Sequence, residues 1–156
     1  MKQMEIRLAE PNDIPDLCGL YNDFFIYNAG QQPQYYKPAA ETGKYPKSVI
    51  DSQTEDIYVA MEDHAVIGFI HIAEEKTPPY DCFVPHKFAV VVDLFVKDNF
   101  RGKGVGDQLF EAAKQWAKAR KLDYLELNVL AENEIGIRFY NHEEFKAVSQ
   151  IMRYTL

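Results

Sequence analysis

The chain has 156 residues, 47% of them hydrophobic and 26% charged, which is typical of one globular domain over residues 1–156. Its formal net charge of −7 argues against nucleic acid as a partner, and no apolar run approaches the roughly 20 residues of a membrane span. The first residues do not resemble a signal peptide, and the two cysteines lack spaced histidine partners. We therefore expect a cytoplasmic protein with no metal site and no membrane partner.

The charge is distributed unevenly along the chain. Residues 1–85 hold six Lys and Arg against fourteen Asp and Glu, whereas residues 86–156 hold eleven against ten. An acidic first half suits a cationic partner, and a less acidic second half suits an anionic ligand. A solvated acidic surface explains the same asymmetry without a partner, so both interpretations stay open.

Hydrophobic periodicity predicts strands and helices that alternate along the chain. In chain order we expect a strand at 4–9, a helix at 11–25, a tyrosine-rich loop at 26–44, a short helix at 47–52, strands at 57–62, 66–73 and 88–96, a helix at 104–121, a strand at 124–129, a helix at 134–142 and a last strand at 147–154. The order β-α-α-β-β-β-α-β-α-β predicts an α/β domain with a mixed sheet.

A glycine-rich loop connects the strand that ends at Val96 to the clearest helix. It reads Arg101, Gly102, Lys103, Gly104, Val105, Gly106. Glycines let the backbone approach a ligand closely, and the first N–H groups of a helix have no partner inside the helix. Because the helix dipole and two cations also favour an anion, the loop predicts a pyrophosphate site.

Two well-known classes of phosphate-binding loop fit these residues less well. The Gly-Lys-Ser/Thr of nucleotide triphosphatases is missing. For a dinucleotide-binding fold, Glu126 would bind the ribose, but Asp107 stands where the third glycine belongs. A flexible connection without a ligand is the remaining alternative.

With this loop the chain resembles the GNAT superfamily of N-acetyltransferases, whose pattern Arg/Gln-x-x-Gly-x-Gly/Ala is met by Arg101, Gly104 and Gly106. The resemblance covers residues 86–156 and includes Asn133-Glu134 followed by Phe139-Tyr140. It implies the GNAT fold, a mixed and mostly antiparallel sheet flanked by helices, with acetyl-CoA as cosubstrate, no metal and, commonly, a homodimer. Within the family the motif wording is most similar to that of the diamine acetyltransferases.

The resemblance also implies which residues hold the cofactor. In the family, the backbone of the strand before the loop pairs with the pantetheine arm, and an asparagine side chain contacts the cofactor. The residues expected to bind acetyl-CoA are Leu94, Phe95, Val96, Arg101, Gly102, Lys103, Gly104, Val105, Gly106, Asp107, Asn133 and Gly136.

The chain departs from the family pattern at two positions. Glu144-Phe145 stands where the family often has Gly-Phe, and this changes the end of a helix. Val92 stands where the diamine enzymes have a glutamate, so the resemblance does not identify the general base.

Acetyl transfer needs a neutral amine, a stabilised oxyanion and a protonated thiol leaving group. By resemblance Tyr140 is the candidate acid for the thiolate, with packing in the core as its alternative. Asp93 is the candidate base because it is the one acid inside the strand at 88–96. A structural role for Asp93 stays open, and the alternative bases are His71, Glu74 and Glu75.

The tyrosine-rich loop and its flanks supply candidates for the amine pocket: Tyr27, Tyr35, Tyr36 and Glu41. A packed loop explains the same residues equally well. The resulting hypothesis is an enzyme that acetylates a primary amine, as a small or polyamine-like acceptor, by direct attack on acetyl-CoA. The alternatives are an acetyltransferase for protein or peptide N-termini and a catalytically weak acyl-CoA-binding regulatory module.

Overall fold

A computed structural model describes residues 3–39 and 44–156, and in these ranges it contains five strands and four α-helices. The elements are β1 (Met4–Leu8), α1 (Ile14–Gln31), α2 (Lys44–Ile50), β2 (Glu55–Glu62), β3 (Ala65–Lys76), β4 (Lys87–Val96), α3 (Val105–Ala119), β5 (Leu125–Leu127) and α4 (Glu134–His142). Short 3-10 turns precede α1 and follow β4. None of the helices in these ranges combines the length and apolar character that a membrane crossing requires.

The strands form one sheet in the order β1-β2-β3-β4-β5. The first three pairs are antiparallel and β4–β5 is parallel, which confirms the mixed, mostly antiparallel sheet. A tight turn joins β2 and β3. Asp63 and His64 have φ angles of 50° and 65°, the left-handed geometry that matches the twist of a two-residue hairpin.

Helices cover both faces of the sheet, so β4 has packed neighbours on two sides. On one face Val91 packs with Leu109 and Ala113 of α3. On the other, Phe95 packs with Leu17 of α1 and other residues of the second core cluster. The amphipathic spacing of α1 and α3 thus places β4 in the centre of the domain.

A β-bulge at Val92 changes which way the side chains of β4 point. Asp93 pairs with His71 of β3, but the next residue of β3, Ile72, pairs with Val91. Val92 is therefore the extra residue, and a bulge reverses the alternation of side chains beyond it. As a result Asp93 lies on the same face of β4 as Phe95, towards α1.

The predicted strand over residues 147–154 is wrong. Residues 146–156 form no strand and are exposed throughout. Their alternating apolar residues favour a strand, but a strand also needs an edge to pair with, and no backbone hydrogen bond joins these residues to the rest of the described chain. The strand predicted at 124–129 is likewise shorter, with only Leu125–Leu127 paired to β4.

Candidate active site

A cavity of about 330 Å³ opens beside the part of β4 that is no longer paired with β5. The pairing of β4 with β5 ends at Val91–Leu127. Past that point the backbone of Leu94, Phe95 and Val96 borders the cavity, with α3 and α4 as further walls. The splayed strands therefore leave main-chain N–H and C=O groups that an extended ligand can pair with.

The cavity brings together the residues predicted to hold a cofactor. All twelve except Lys103 line it, and Tyr27 and Tyr140 line it as well. Sequence reasoning missed five further wall residues: Phe24, Asn28, Phe100, Ile135 and Phe139. Phe24 was recognisable only as an apolar helix residue, because the pattern that places a side chain in a core also fits a cavity wall.

The glycine loop presents a row of N–H groups at the start of α3. Gly102 and Gly104 have φ angles of 75° and 81°, which glycine adopts without strain. Among the described residues, no backbone oxygen accepts a hydrogen bond from the N–H groups of residues 102–107. The first N–H groups of a helix have no partner inside it, and Gly102, Gly104 and Gly106 line the cavity at this point, so the chain fits a pyrophosphate here.

Arg101 and Lys103, the two cations of the loop, have different surroundings. The Arg101 guanidinium carbon lies 5.1 Å from the ring centroids of Tyr27 and of Phe95, and its Nε donates to the carbonyl of Val96 at 2.9 Å. Arg101 also pairs with Asp98. Lys103 is exposed, with its Nζ 5.6 Å from the centroid of the Phe100 ring. Arg101 therefore shapes the cavity wall, while Lys103 adds charge outside it.

Asn133 joins α4 to α1 at the far wall of the cavity. Its Oδ1 accepts from the N–H of Gly136 at 2.9 Å and from the hydroxyl of Tyr27 at 3.2 Å. A Cβ on Gly136 would lie 2.5 Å from Nδ2 of Asn133, so a larger residue there would displace the Asn133 side chain. Tyr27, a candidate for the amine pocket, thus lies in the same cavity wall as the residues predicted to bind acetyl-CoA.

Tyr140 lines the same cavity with its ring packed against Phe139 and Phe145, at centroid distances of 5.4 and 5.7 Å. Burial, and then the negative charge of Asp93, raise the pKa of Tyr140 to about 12. The hydroxyl is therefore protonated at neutral pH and can donate a hydrogen bond to a developing anion.

Asp93 belongs to a chain of polar groups that crosses the sheet. Its Oδ2 lies 3.5 Å from Nδ1 of His71, and Nε2 of His71 lies 3.0 Å from Oε1 of Glu55. The side chains of Asp93 and His71 are 13% and 1% exposed, whereas that of Glu55 is 34% exposed. The hydroxyl of Tyr45 also approaches Nδ1 of His71, at 2.9 Å.

Tyr21 adds an unsatisfied group to this cluster. Its hydroxyl is buried and has no hydrogen-bond partner among the described residues. Burial, and then the charge of Asp93, raises the pKa of Tyr21, so the hydroxyl stays neutral. A buried hydroxyl without a protein partner is the usual position of an ordered water or a polar ligand group.

The other candidates lie elsewhere. Tyr35 and Tyr36 are exposed and are not part of the cavity wall, and Glu41 lies outside the described residues. Of the alternative bases, Glu74 is engaged by Arg120 at 3.0 Å and Glu75 is exposed, so His71 alone lies beside Asp93.

One group of side chains has a spacing compatible with a cation. Ligand atoms of Asp107, His142 and Glu143 lie within 4.8 Å of one another near the start of α3. Burial, followed by a hydrogen bond with Asp107, raises the pKa of Glu143. Exposed acidic clusters of this kind are common without a metal.

Comparisons with known proteins agree with this geometry. The model of the acetyltransferase (GNAT) family matches residues 14–145. An uncharacterised N-acetyltransferase of Archaeoglobus fulgidus is 28% identical over 143 residues, which cover 92% of this chain and 93% of the relative. YhfO of Bacillus subtilis, another uncharacterised N-acetyltransferase, is 24% identical over 98% of this chain and 97% of its own length.

Two solved structures share the fold. A tetramutant of the BH1408 protein from Bacillus halodurans has a TM-score of 0.91 at 22% identity, over 97% of this chain and 99% of its own. The aminoglycoside N-acetyltransferase AAC(6')-Iy, in complex with CoA, has a TM-score of 0.75 at 18% identity, over 100% and 96% of the two chains. Since the family match covers most of the sequence, the chain belongs to the acetyltransferase (GNAT) family.

Proposed function

We propose that the chain transfers an acetyl group from acetyl-CoA to a primary amine by direct attack, with Asp93 as the base and Tyr140 as the acid. The observation that carries the proposal is the position of Asp93. Its buried carboxylate acts electrostatically on Tyr140 in the cavity wall and is connected through His71 to Glu55 near the surface.

The chain's own backbone holds the cosubstrate in this proposal. The free N–H groups of residues 102–107 bind the pyrophosphate, and the main chain of Leu94 to Val96 pairs with the pantetheine arm. One N–H of the same stretch stabilises the oxyanion. Bound there, acetyl-CoA supplies the activated acetyl group, and no metal is needed.

Asp93 accepts the proton that the amine must lose. An amine with a pKa of about 10.4 is mostly protonated at pH 7, and its neutral form costs about 4–5 kcal/mol. Asp93 takes the proton as the amine attacks, and His71 and Glu55 provide a route for it towards solvent. The unsatisfied hydroxyl of Tyr21 fits a water or the amine itself beside Asp93.

Tyr140 acts on the leaving group. Because its pKa is raised to about 12, it is a neutral donor throughout the physiological range. It stabilises the thiolate by donating its proton along a hydrogen bond as the carbon–sulfur bond breaks. The thiol and the N-acetylated amine are then the products.

The acceptor in this proposal carries a positive charge besides the reacting amine. Residues 1–85 have eight more acidic than basic side chains, and they contribute Asp93's neighbours Glu55 and His71. The aminoglycoside acceptors named for a structural neighbour are amines of this kind. Tyr35, Tyr36 and Glu41 remain proposed contacts for its outer part. Homodimer formation and a cytoplasmic location, where acetyl-CoA is available, complete the proposal.

Release of CoA thiol from acetyl-CoA across a panel of polyamines, aminoglycosides, basic peptides and neutral amines tests this function. We expect the highest kcat/KM for an acceptor with a second positive charge, and a decrease as salt screens the attraction. Asp93→Asn should abolish turnover but retain CoA binding, whereas the exposed Glu75→Gln should leave both unchanged. If the chain binds CoA but releases no thiol with any acceptor, the result supports a regulatory module. If thiol is released only with N-terminal peptides, the result supports a peptide acetyltransferase.

A further inference from the structure

Tyr45 links the surface helix α2 to the buried histidine of the polar cluster. The residue is 40% exposed, yet its hydroxyl lies 2.9 Å from Nδ1 of His71. Its ring meets the rings of Tyr21 and His71 edge to face, at centroid distances of 5.4 and 5.5 Å. Val49, one turn further along α2, is buried in the second core cluster and anchors the helix there. The packing of α2 therefore holds the hydroxyl of Tyr45 on one nitrogen of His71.

The other nitrogen of His71 determines the direction of that hydrogen bond. Nε2 lies 3.0 Å from Oε1 of Glu55, and an ionised carboxylate accepts hydrogen bonds but has none to donate. In a neutral imidazole, one nitrogen carries the proton and the other has a lone pair. The proton of neutral His71 consequently belongs on Nε2, which donates to Glu55, and Nδ1 is left as an acceptor.

Of the two side chains beside Nδ1, Tyr45 is the one with a proton to donate. The ionised carboxylate of Asp93, 3.5 Å away, is an acceptor like Nδ1 itself. The hydroxyl of Tyr45 is closer and keeps its proton, because burial, and then the charges of Asp93 and Glu55, raise the pKa of Tyr45 above its ordinary value. Tyr45 thus donates to Nδ1, and both nitrogens of the neutral histidine are satisfied.

We propose that Tyr45 is a positioning residue for proton transfer, whose hydroxyl holds His71 in the tautomer that has no proton on Nδ1. This inference rests on the proposed acetyl transfer, in which Asp93 takes a proton from the amine. His71 relieves Asp93 of that proton only if Nδ1 has a lone pair to receive it. Tyr45 is not in the cavity wall, so it acts on the reaction through His71.

The protons balance in this sequence of transfers. As the amine attacks, its N–H bond breaks and an O–H bond forms on Asp93, which changes this carboxyl from an acceptor into a donor. The proton then moves to Nδ1 and converts His71 to an imidazolium between two carboxylates. Loss of one proton by way of Glu55, whose side chain is 34% exposed, returns His71 to its neutral form. Of the two neutral tautomers, the hydrogen bond from Tyr45 favours the one from which the sequence began.

Removal of the hydroxyl changes which form of His71 is favoured. The titratable groups around His71 come from four elements: Tyr21 on α1, Tyr45 on α2, Glu55 on β2 and Asp93 on β4. In Tyr45→Phe the neutral form loses its donor to Nδ1, whereas the protonated form keeps both carboxylates as acceptors. Nδ1 should therefore hold a proton over a wider pH range in the variant than in wild type.

Nitrogen NMR of the histidine side chains measures the tautomer without any acceptor or cosubstrate. Correlations between ring nitrogens and ring C–H protons distinguish a nitrogen that carries a proton from one that has a lone pair. The spectrum of His71→Asn identifies the His71 signals among those of the four histidines. We expect wild type at neutral pH to have the proton on Nε2 and a lone pair on Nδ1. A proton on Nδ1 of wild type, alone or together with one on Nε2, would overturn the proposal.

The pH profile of kcat, measured with the best acceptor of the panel, gives the second readout. At neutral pH, Tyr45→Phe should have a kcat roughly 10-fold below that of wild type, the scale of one hydrogen bond. The deficit relative to wild type should shrink as the pH rises, because Nδ1 then loses its proton in the variant as well. The affinity for CoA and the KM for the acceptor should stay within about twofold of wild type, since Tyr45 acts through His71.

Tyr58→Phe is the matched control, because Tyr58 is a partly buried tyrosine of β2 that packs against the core on the α3 side of the sheet. It should keep the wild-type kcat at every pH. In an active enzyme, an unchanged kcat in Tyr45→Phe, or a deficit that is the same at every pH, would overturn the role of Tyr45 alone. If no amine supports thiol release, the proposed acetyl transfer is overturned, while the tautomer of His71 still tests the hydrogen bond from Tyr45.

Discussion

Nδ1 of His71 lies 3.5 Å from Oδ2 of Asp93, and a buried histidine is thereby placed between two carboxylates. The second carboxylate, Glu55, lies 3.0 Å from Nε2 and is partly exposed. Nδ1 also lies 2.9 Å from the hydroxyl of Tyr45, so in the proposed mechanism the proton passes through a network in which Asp93 and Tyr45 share Nδ1 and Glu55 contacts Nε2. This relationship distinguishes the proposed base from an isolated buried carboxylate, which would have no outlet for its proton.

His71→Asn should lower kcat by about 10–100-fold, because general-base catalysis contributes roughly 10²–10⁴-fold and Asp93 itself remains. The affinity for CoA should not change, since His71 is not in the cavity wall. The pH profile of kcat should also shift, which a purely structural role would not cause. His86→Asn is the matched control, because His86 forms a similar pair with Asp123 at 2.8 Å on the surface. An equal decrease of kcat in both variants would contradict the role of His71.

Tyr140→Phe should lower kcat by about 10²–10⁴-fold with little change in CoA affinity, as expected for loss of a general acid. Because the pKa of Tyr140 is raised to about 12, the wild-type profile should not descend on its account below about pH 11. Stopped-flow thiol release between pH 6 and 11 measures both. Tyr124→Phe, which changes a tyrosine stacked on Phe88 outside the cavity, is the control. Near-normal turnover of Tyr140→Phe would return this residue to a packing role.

The cavity proposed to hold the cofactor was largely predictable because its signals are local. Residues 101–106 follow one another in the chain, and the helix that presents their N–H groups begins within them. The helix at 134–142 was predicted with the bounds that the structure shows, and Asn133 is its N-cap residue. Where a site is built from consecutive residues, spacing and glycine content are sufficient to find it.

The polar cluster was not predictable, because it depends on register. Glu55, His71 and Asp93 come from three strands, and only the bulge at Val92 sets Asp93 beside His71. The contact between Tyr27 and Asn133 likewise joins residues 106 positions apart. The failed prediction at 147–154 has a related cause, since periodicity shows that a segment suits a strand and not which edge it pairs with.

Gly104→Val should reduce CoA affinity at least about 100-fold, because valine is strained at a φ of 81° and its side chain would occupy the anion site. Thermal shift with and without CoA measures this, since a ligand raises the melting temperature only if it binds. Gly30→Ala in α1, where an added Cβ meets nothing within 4 Å, should keep the CoA-induced shift and raise stability by about 0.5–1 kcal/mol. If folded Gly104→Val still shows the full CoA-induced rise in melting temperature, the loop is not part of the CoA site.

Glu144→Gly should stabilise the chain by about 1 kcal/mol. Glu144 follows α4 with a φ of 67°, a left-handed conformation that costs roughly 1–2 kcal/mol for a residue with a Cβ. Glu143→Gly is the control, because Glu143 has a φ of −80° and gains nothing from glycine. In urea unfolding, the changes in the free energy of unfolding of the two variants should have opposite signs. A loss of stability in Glu144→Gly would show that contacts of the Glu144 side chain outweigh the backbone strain.

The two terminal nitrogens of Arg7 donate hydrogen bonds to the two carboxylate oxygens of Asp13, at 2.7 and 2.9 Å. Asp13 is buried and also accepts a hydrogen bond from the N–H of Glu10. The hydrogen bond from Arg7 lowers the pKa of Asp13 below its usual value. A carboxyl whose folded pKa is depressed stabilises the fold above its unfolded pKa of about 3.9, and this contribution is lost as the pH falls through the folded pKa.

Arg7→Met should therefore cost about 2–4 kcal/mol at pH 7, since it leaves a buried carboxylate without its partner. The deficit relative to wild type should narrow at acid pH, because Asp13 of the variant, which lacks Arg7, is protonated first, and Asp13 of wild type loses its contribution as the pH falls through its lowered pKa. Lys47→Met breaks the exposed pair with Asp51 and should cost roughly 0.5 kcal/mol or less. Urea unfolding at pH 7, 5 and 3 measures these differences, and a deficit for Arg7→Met that is small at pH 7 or independent of pH would contradict the assignment.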